Sequence, residues 1–191
     1  MSYIELEDLR LYLGDKGGID NSLLESAIED AQTYIESQTN RVFEAIDETR
    51  YYTHDDLYPN TRTLRVDRDL LSVTTLTNGD TAATVILPTS YTLLPRNDVP
   101  PYHYIELTDA SNVQWEQDTD RWITVLGKWG YSVDAPYDIK RAALVLAAYF
   151  YKQKDSQIFD TTAIPGAGVI TIPQGIPTTV TRIIERYKVY L

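Results

Sequence analysis

Chemistry in a protein starts from a small set of side chains, and this chain offers few of them. It has no cysteine and two histidines, His54 and His103. His54 stands in the run "THDDLY", where its imidazole could join Asp55 and Asp56 around a divalent cation. Three adjacent residues rarely converge on one ion, and the run reads as a solvated turn. His103 alternates with Tyr102 and Tyr104 in "PYHYIEL" and reads as a packed or hydrogen-bonded strand histidine. Asp67 with Asp69, and Asp118 with Asp120, could pair as general acid and base, but both pairs sit where loops are expected. Nucleophilic catalysis needs a serine or cysteine beside a base with an orienting partner, and the chain has no G-x-S-x-G elbow.

Two further patterns point to binding. The glycines of "IPGAGVITIPQG" lack the Gly-Lys-Ser/Thr ending and the strand–loop–helix setting of a phosphate loop. Trp115, Trp122 and Trp129, with 15 tyrosines, could build a sugar-binding or base-stacking platform. The same residue types are the commonest anchors of protein interfaces. The net charge of -11 favours the interface, because every phosphate contact needs a Lys or Arg to displace counterions. We expect no catalytic residues, no cofactor and no metal.

These side chains must be held by elements, and the composition suffices to build them. Hydrophobic residues make up 43% of 191, enough for a packed core. The absence of cysteine excludes disulfides and suits a reducing cytoplasm. The opening "MSYIELEDLR" lacks the basic and apolar regions of a signal peptide. The longest apolar run, Ala142 to Tyr151, is far short of the ~20 residues that span a bilayer. The expectation is a soluble intracellular protein with no membrane contact.

Both ends of the chain read as helical. Leu6, Leu9 and Leu13 share one face of a first helix, with Gly14 as its C-cap. Asp20, Asn21 or Ser22 caps a second, about 22–38, whose stripe is Leu24, Ala27, Ile28, Ala31, Tyr34 and Ile35. The middle is different. "TRTLRV", "LSVTTLT", "ATVILP", "YTLL", "YHYIEL" and "RWITVLGKWG" are short, β-branched or aromatic runs separated by prolines. Asn78-Gly79 is the strongest hairpin signal. A third helix starts at Pro136 and runs to about Lys154, apolar almost all the way round. The Gly/Pro-punctuated 158–175 reads as loop or extended arm, and a last helix spans about 177–190. The fold class is therefore α+β: a helical bundle of two N-terminal and two C-terminal helices, with an inserted antiparallel β-rich sandwich or sheet. The domains are 1–48 with 135–191, and 49–134.

Four stretches, in order, carry a resemblance. "YIELEDLRLYLG" with "DNSLLESAIEDAQTYIESQTNRVF" resembles the opening of the tailed-phage head–tail connector family, also called adaptor or head-completion proteins. "LSVTTLTNGDTAATVILPTSYTLL" with "RWITVLGKWGYS" is similar to the strand region of its longer members. "APYDIKRAALVLAAYFYKQKD" matches its third helix, and "IPQGIPTTVTRIIERYKVYL" its closing turn and helix. The resemblance implies a non-enzymatic virion protein of the neck, present in the host cytoplasm before assembly. It implies a ring, commonly of twelve copies, that binds the portal protein and offers a platform to the next stopper or tail protein. DNA would pass through the lumen without sequence-specific binding, past carboxylates that repel it. Another neck or tail-completion ring protein is the nearest alternative, and a carbohydrate-binding module or hydrolase using the tryptophan strands the alternative from another class. Expected contacts with the portal or a neighbouring copy are Leu144, Phe150 and Tyr151 on the third helix, Ile158, Phe159, Ile164, Ile170 and Ile172 in the arm, and Ile176, Val180, Ile183 and Tyr187 around the last helix. The third helix would use its second apolar face on a neighbouring copy, another layer or the β insertion.

Overall fold

The structure is a computed structural model that describes residues 2–59, 61–97, 99–118, 121–156, 161–164, 168–171 and 175–189. The chain forms two compact units. One joins Met1–Asn40 to Ala135–Leu191, and the other is Arg41–Asp134. Each is α-helical or β-stranded as its periodicity dictates.

The helical unit contains α1 (Leu6–Leu13), α2 (Asn21–Thr39), α3 (Tyr137–Ser156) and α4 (Thr178–Tyr187). Gly14 ends α1 in the left-handed region, φ 71°, where a side chain would strain the backbone. Asp20 caps α2 by accepting a hydrogen bond from the Ser22 N–H at 2.8 Å. α3 is the centre of the bundle and packs against α1, α2 and α4. Its Ile139, Ala142, Ala143, Leu146, Ala147 and Ala148 are buried with Leu9, Leu24, Ala31 and Ile35 of the hairpin and Val180 and Ile184 of α4. The alanines let neighbouring helices approach closely, and the larger residues supply buried area at ~25 cal/mol per Å². Three helices of its own unit therefore account for the many-sided apolar surface of α3. Val189 is pinned beside the end of α2: its N–H donates to the Thr39 carbonyl at 3.0 Å, and the Asn40 side chain donates to its carbonyl at 3.1 Å.

The expectation of an irregular arm at 158–175 is corrected in part. β7 (Thr161–Ile164) and β8 (Gly168–Thr171) pair antiparallel, Thr161 with Thr171 through Ile164 with Gly168. The β-branched residues on each side of Pro165-Gly166 favour extended backbone, and the pairing satisfies their amides. Ile158, Phe159 and Ile172 lie outside the described residues.

The sheet unit holds β1 (Ile46–Tyr52), β2 (Thr63–Thr77), β3 (Val85–Ile86), β4 (Tyr91–Leu94), β5 (Tyr102–Leu107) and β6 (Ile123–Trp129). The order is β1-β6-β2-β5-β4, with β3 on β2, and all pairs are antiparallel. β2 is one 15-residue strand where the sequence shows two runs. Its first half pairs with β5 and its second with β6, with register shifts at Arg65/Leu70, Leu70/Ser72 and Val73/Thr75 that bend it from one partner to the other. Leu64, Leu70, Leu76, Ile105, Ile123, Val125 and Trp129 fill the core. Gly127 permits the β2–β6 approach, since a Cβ there would lie 2.3 Å from the Ser72 carbonyl oxygen.

The Asn78-Gly79 signal marks a hairpin but does not supply its turn. Thr77 pairs with Val85, and the Asn78 N–H donates to the Thr84 carbonyl at 2.8 Å. The reversal is made by Asp80–Thr84, where Asp80 accepts from the Thr84 N–H at 2.7 Å and Ala83 takes φ 51°. Asn78 is instead buried, donating to the Gln114 carbonyl and accepting from the Glu116 N–H, both at 2.9 Å.

Asp67 and Asp69 lie within β2, not in a loop. Arg50 and the Tyr52 hydroxyl, the latter at 2.7 Å, both donate to Asp67. Arg50 also lies over the buried Trp129 ring, 5.4 Å from its centroid. Burial opposes ionisation of Asp67, but the Tyr52 hydrogen bond and Arg50 outweigh it and hold the carboxyl below the usual range. Burial first, then Asp67, pushes the Tyr52 phenol up, so it stays a donor. Arg41 binds both oxygens of the buried Asp69 at 2.6–2.7 Å and lies over Tyr131.

The segments that begin and end this unit are zipped together. The Tyr131 N–H donates to the Val42 carbonyl at 2.8 Å and the Ala45 N–H to the Val133 carbonyl at 3.3 Å. Gly130 sits between them at φ 143°, and a Cβ would fall 2.5 Å from the Glu44 carbonyl oxygen. The unit thus begins at Arg41, ahead of the change of periodicity near Thr49, and β1 pairs with β6 from Ile46 onward.

Three outcomes are expected. Gly130→Ala should destabilise the protein by several kcal/mol, about 3 or more in chemical denaturation, because clash and backbone strain add. Leu146→Asp places an unpaired charge at a fully buried position and should abolish the cooperative unfolding transition of the wild type. Asp67 stabilises the fold above the unfolded carboxylate pKa of ~3.9, and this is lost as pH falls through the lower folded value. Tyr52→Phe should therefore cost about 1 kcal/mol at neutral pH and shrink the acid-dependent loss, read as melting temperature between about pH 5 and pH 2.

Candidate functional site

The chemistry-bearing residues are dispersed by the fold. His54 begins a 3₁₀ turn, His54–Asp56, in which Asp56 accepts from the Thr53 N–H at 2.8 Å and is used as a cap. Among the described residues no group of three His, Cys, Asp or Glu is placed to hold a metal ion. His103 stands on β5 with Nδ1 3.8 Å from Asp69, which Arg41 already engages. Asp67 and Asp69 each have their own cationic partner, so neither is poised to exchange a proton with the other. Asp118 accepts from the Thr81 hydroxyl, and Asp120 lies outside the described residues.

The three tryptophans do not form a platform. Trp129 is 1% exposed in the core, with its indole N–H donating to the Glu48 carbonyl at 3.0 Å. Trp115 is half-buried and donates to the Arg62 carbonyl at 2.8 Å. Trp122 alone is exposed, and its partner is Tyr51. A sugar site of three tryptophans is thereby set aside, since two of the rings are already committed to the protein's interior.

The expected docking residues have different fates. Leu144, Phe150 and Tyr151 are half-buried on α3, and Phe150 meets Tyr34 of α2 edge-on at 6.1 Å. Val180 is 1% exposed, so the expectation that it contacts a partner is corrected: it faces inward from α4 into its own unit's core. Ile176 and Ile183 are half-buried, as is Tyr187, whose hydroxyl donates to Asp138 at 2.8 Å and so ties α4 to the first turn of α3. Ile164 lies on β7 opposite Gly168, and Ile170 on β8 opposite Thr162, so the two are offset by two residues.

The N-terminal helices also frame an open groove of about 500 Å³, lined by Ile4, Leu6 and Ile28 and by Glu5, Glu25 and Glu29. Its lining has no histidine, lysine or arginine, and its polar groups are the three carboxylates with Ser2, Gln32 and Thr33. On the sheet unit, Tyr51 and Leu126 are exposed on neighbouring strands, and the sequence reading passed over both. The alternation of Thr49 with Tyr51, and of Trp122 with Thr124 and Leu126, was the signal available.

The arrangement is one of surfaces, and the relatives of the chain agree with that. No curated protein matches it. A chain in the neck of an empty gene transfer agent (GTA) particle, computed with C6 symmetry, shares 20% identity, covering 99% of this chain and 91% of its own, with a TM-score of 0.66. A chain of the virion of a native GTA particle shares 21% identity over the same portions, with a TM-score of 0.64. At these identities the two show a common fold. The family of head completion proteins matches residues 2–190, through both units in order. The chain belongs to the head completion protein family and is a structural protein of the virion, a head–tail connector.

Proposed function

We propose that this connector assembles as a ring of twelve copies on the portal protein of a filled capsid, at the head–tail interface. There it extends the DNA channel and presents a platform to the next stopper or tail protein. The observation that carries the reading is the family match over residues 2–190, which runs through both units in order. The neighbour in a neck computed with C6 symmetry fits a ring whose copy number is a multiple of six, twelve included. In a closed ring each subunit uses two different surfaces, one toward each neighbour.

The role is structural and not catalytic: the acidic residues that could do chemistry are engaged as caps and ion-pair partners. The net charge of -11 supports a channel wall, because acidic walls repel phosphates and let DNA pass without sticking. The portal contact is assigned to the 158–172 segment with its β7–β8 hairpin, assisted by Ile176, Ile183 and Tyr187. Leu144, Phe150 and Tyr151 serve the contact with a neighbouring copy. The segment from 158 to 172 carries one charged residue, Asp160, and six of Ile, Val and Phe, so it gains most by being covered. An extended hairpin can also add strands to a partner's sheet.

Electron microscopy of the chain mixed with its virus's portal protein tests the ring. A ring with a central hole on the portal is expected, and its absence overturns the reading. Replacing 158–172 by a Gly/Ser linker keeps α4, and hence the bundle. That variant should melt near the wild-type temperature and bind portal at least about tenfold more weakly, a loss of ~1.4 kcal/mol. Unchanged affinity removes the segment from the portal contact.

A further inference from the structure

On one face of β1, β6 and the second half of β2, large side chains are exposed among the described residues. Register places Thr49 and Thr75 beside Leu126, and Tyr51 beside Thr124. Trp122 completes the strip, meeting Tyr51 edge-on at 5.9 Å. Tyr51 is 62% exposed, Trp122 54% and Leu126 37%. These are large apolar groups left in water on one continuous surface, and β1, the outermost strand, carries that surface to an open edge of the sheet.

We propose that this strip is one of the two surfaces through which a copy of the chain meets its neighbours, centred on Tyr51 and Trp122. The proposal rests on the ring reading above and names a surface for it. Charge argues for the occupant. Each copy carries -11, so two copies meeting through an average part of their surfaces would set carboxylates against carboxylates. Like charges face to face cost several kcal/mol. The strip has no net charge: its residues are Thr, Tyr, Trp and Leu, and the charges at one end, Lys128 and Asp47, neutralise each other at 3.3 Å. A basic partner would be steered to the acidic remainder of the surface and has no use for a neutral patch. An equally acidic partner needs one, and the acidic partner at hand in a ring is the same chain.

The aromatic pair suits the centre of such a contact. Tyrosine and tryptophan supply large area at little entropic cost, and they dominate interface energies when neighbouring contacts exclude water. The threonines around them offer short hydroxyls that hydrogen-bond without bringing charge.

The experiment uses the full chain assembled on its virus's portal protein. Benzoylphenylalanine is placed at position 51, and the assemblies are irradiated and separated by mass. A covalent adduct of two copies of the chain is expected, formed only in assemblies. An adduct with the portal or another protein, or none in well-formed rings, overturns the proposal. Independently, Leu126→Glu adds a charge at an exposed position. It should leave the melting temperature of the free chain within about 2 °C and raise the concentration needed for rings at least tenfold. Rings at the wild-type concentration overturn the proposal. If the variant does not fold, the crosslink decides. Rings from every variant without a chain–chain adduct reject this surface and leave the ring reading standing. No ring from the unmodified chain rejects both.

Discussion

The structure depends on one close approach. An insertion into a helical bundle is tolerable only if the chain leaves and returns at one place, because otherwise the two halves of the bundle would be held apart. Here the outgoing Arg41–Ala45 and the returning Gly130–Asp134 are hydrogen-bonded to each other. Gly130 makes the approach possible, since its φ of 143° and its contact with the Glu44 carbonyl exclude any side chain. β1 and β6 continue directly from this stem, so the pairing that closes the insertion also starts its sheet. The Arg41–Asp69 ion pair and the Gly130 N–H bond to the Asp69 carbonyl fasten β2 to the same point.

Each unit then solves its own burial problem around one element. In the helical unit α3 packs against α1, α2 and α4, which covers several of its apolar sides. In the sheet unit β2 changes partners halfway along, and the bulges that allow this place three charged residues, Asp67 to Asp69, mid-strand. The two carboxylates are tolerated because Arg50 and Tyr52 meet Asp67 and Arg41 meets Asp69, while Arg68 is exposed. Groups that could have formed a reactive site are thus consumed in holding strands together.

A virion connector needs surfaces that meet copies of itself and partners, and a wall that DNA slides past. In the proposed ring, acidity would serve the wall and work against self-association, so the surfaces that meet would be those where charge is cancelled or absent. The neutral strip on β1 and β6 and the nearly uncharged 158–172 segment are two places where this chain departs from its acidic average. The informative feature of the chain is the distribution of charge and exposed aromatics over its surfaces.

The sequence by itself determined the class of the four helices and of most strands between them. Helical periodicity at both ends and strand periodicity between them are local properties, as are the Gly14 and Asp20 caps, and the four family-like stretches are legible in order. The α1, α2, α3 and α4 helices lie within two or three residues of where periodicity puts them. What depended on distant residues was not legible. β1 was hidden because "IDETRYY" has charges that become compatible with a strand only when Asp67 and Trp129 lie beside Arg50. Asn78 looked like a turn residue until Gln114 and Glu116 claimed its side chain. Val180 has the same spacing as a docking residue and is a core residue, because α4 folds back on α2 and α3. Tyr51 and Trp122, 71 positions apart in the chain, become one surface only when β1 pairs with β6. Periodicity assigns a side chain to a face of its own element; tertiary packing alone decides whether that face meets the protein's interior, a charged partner or open solvent.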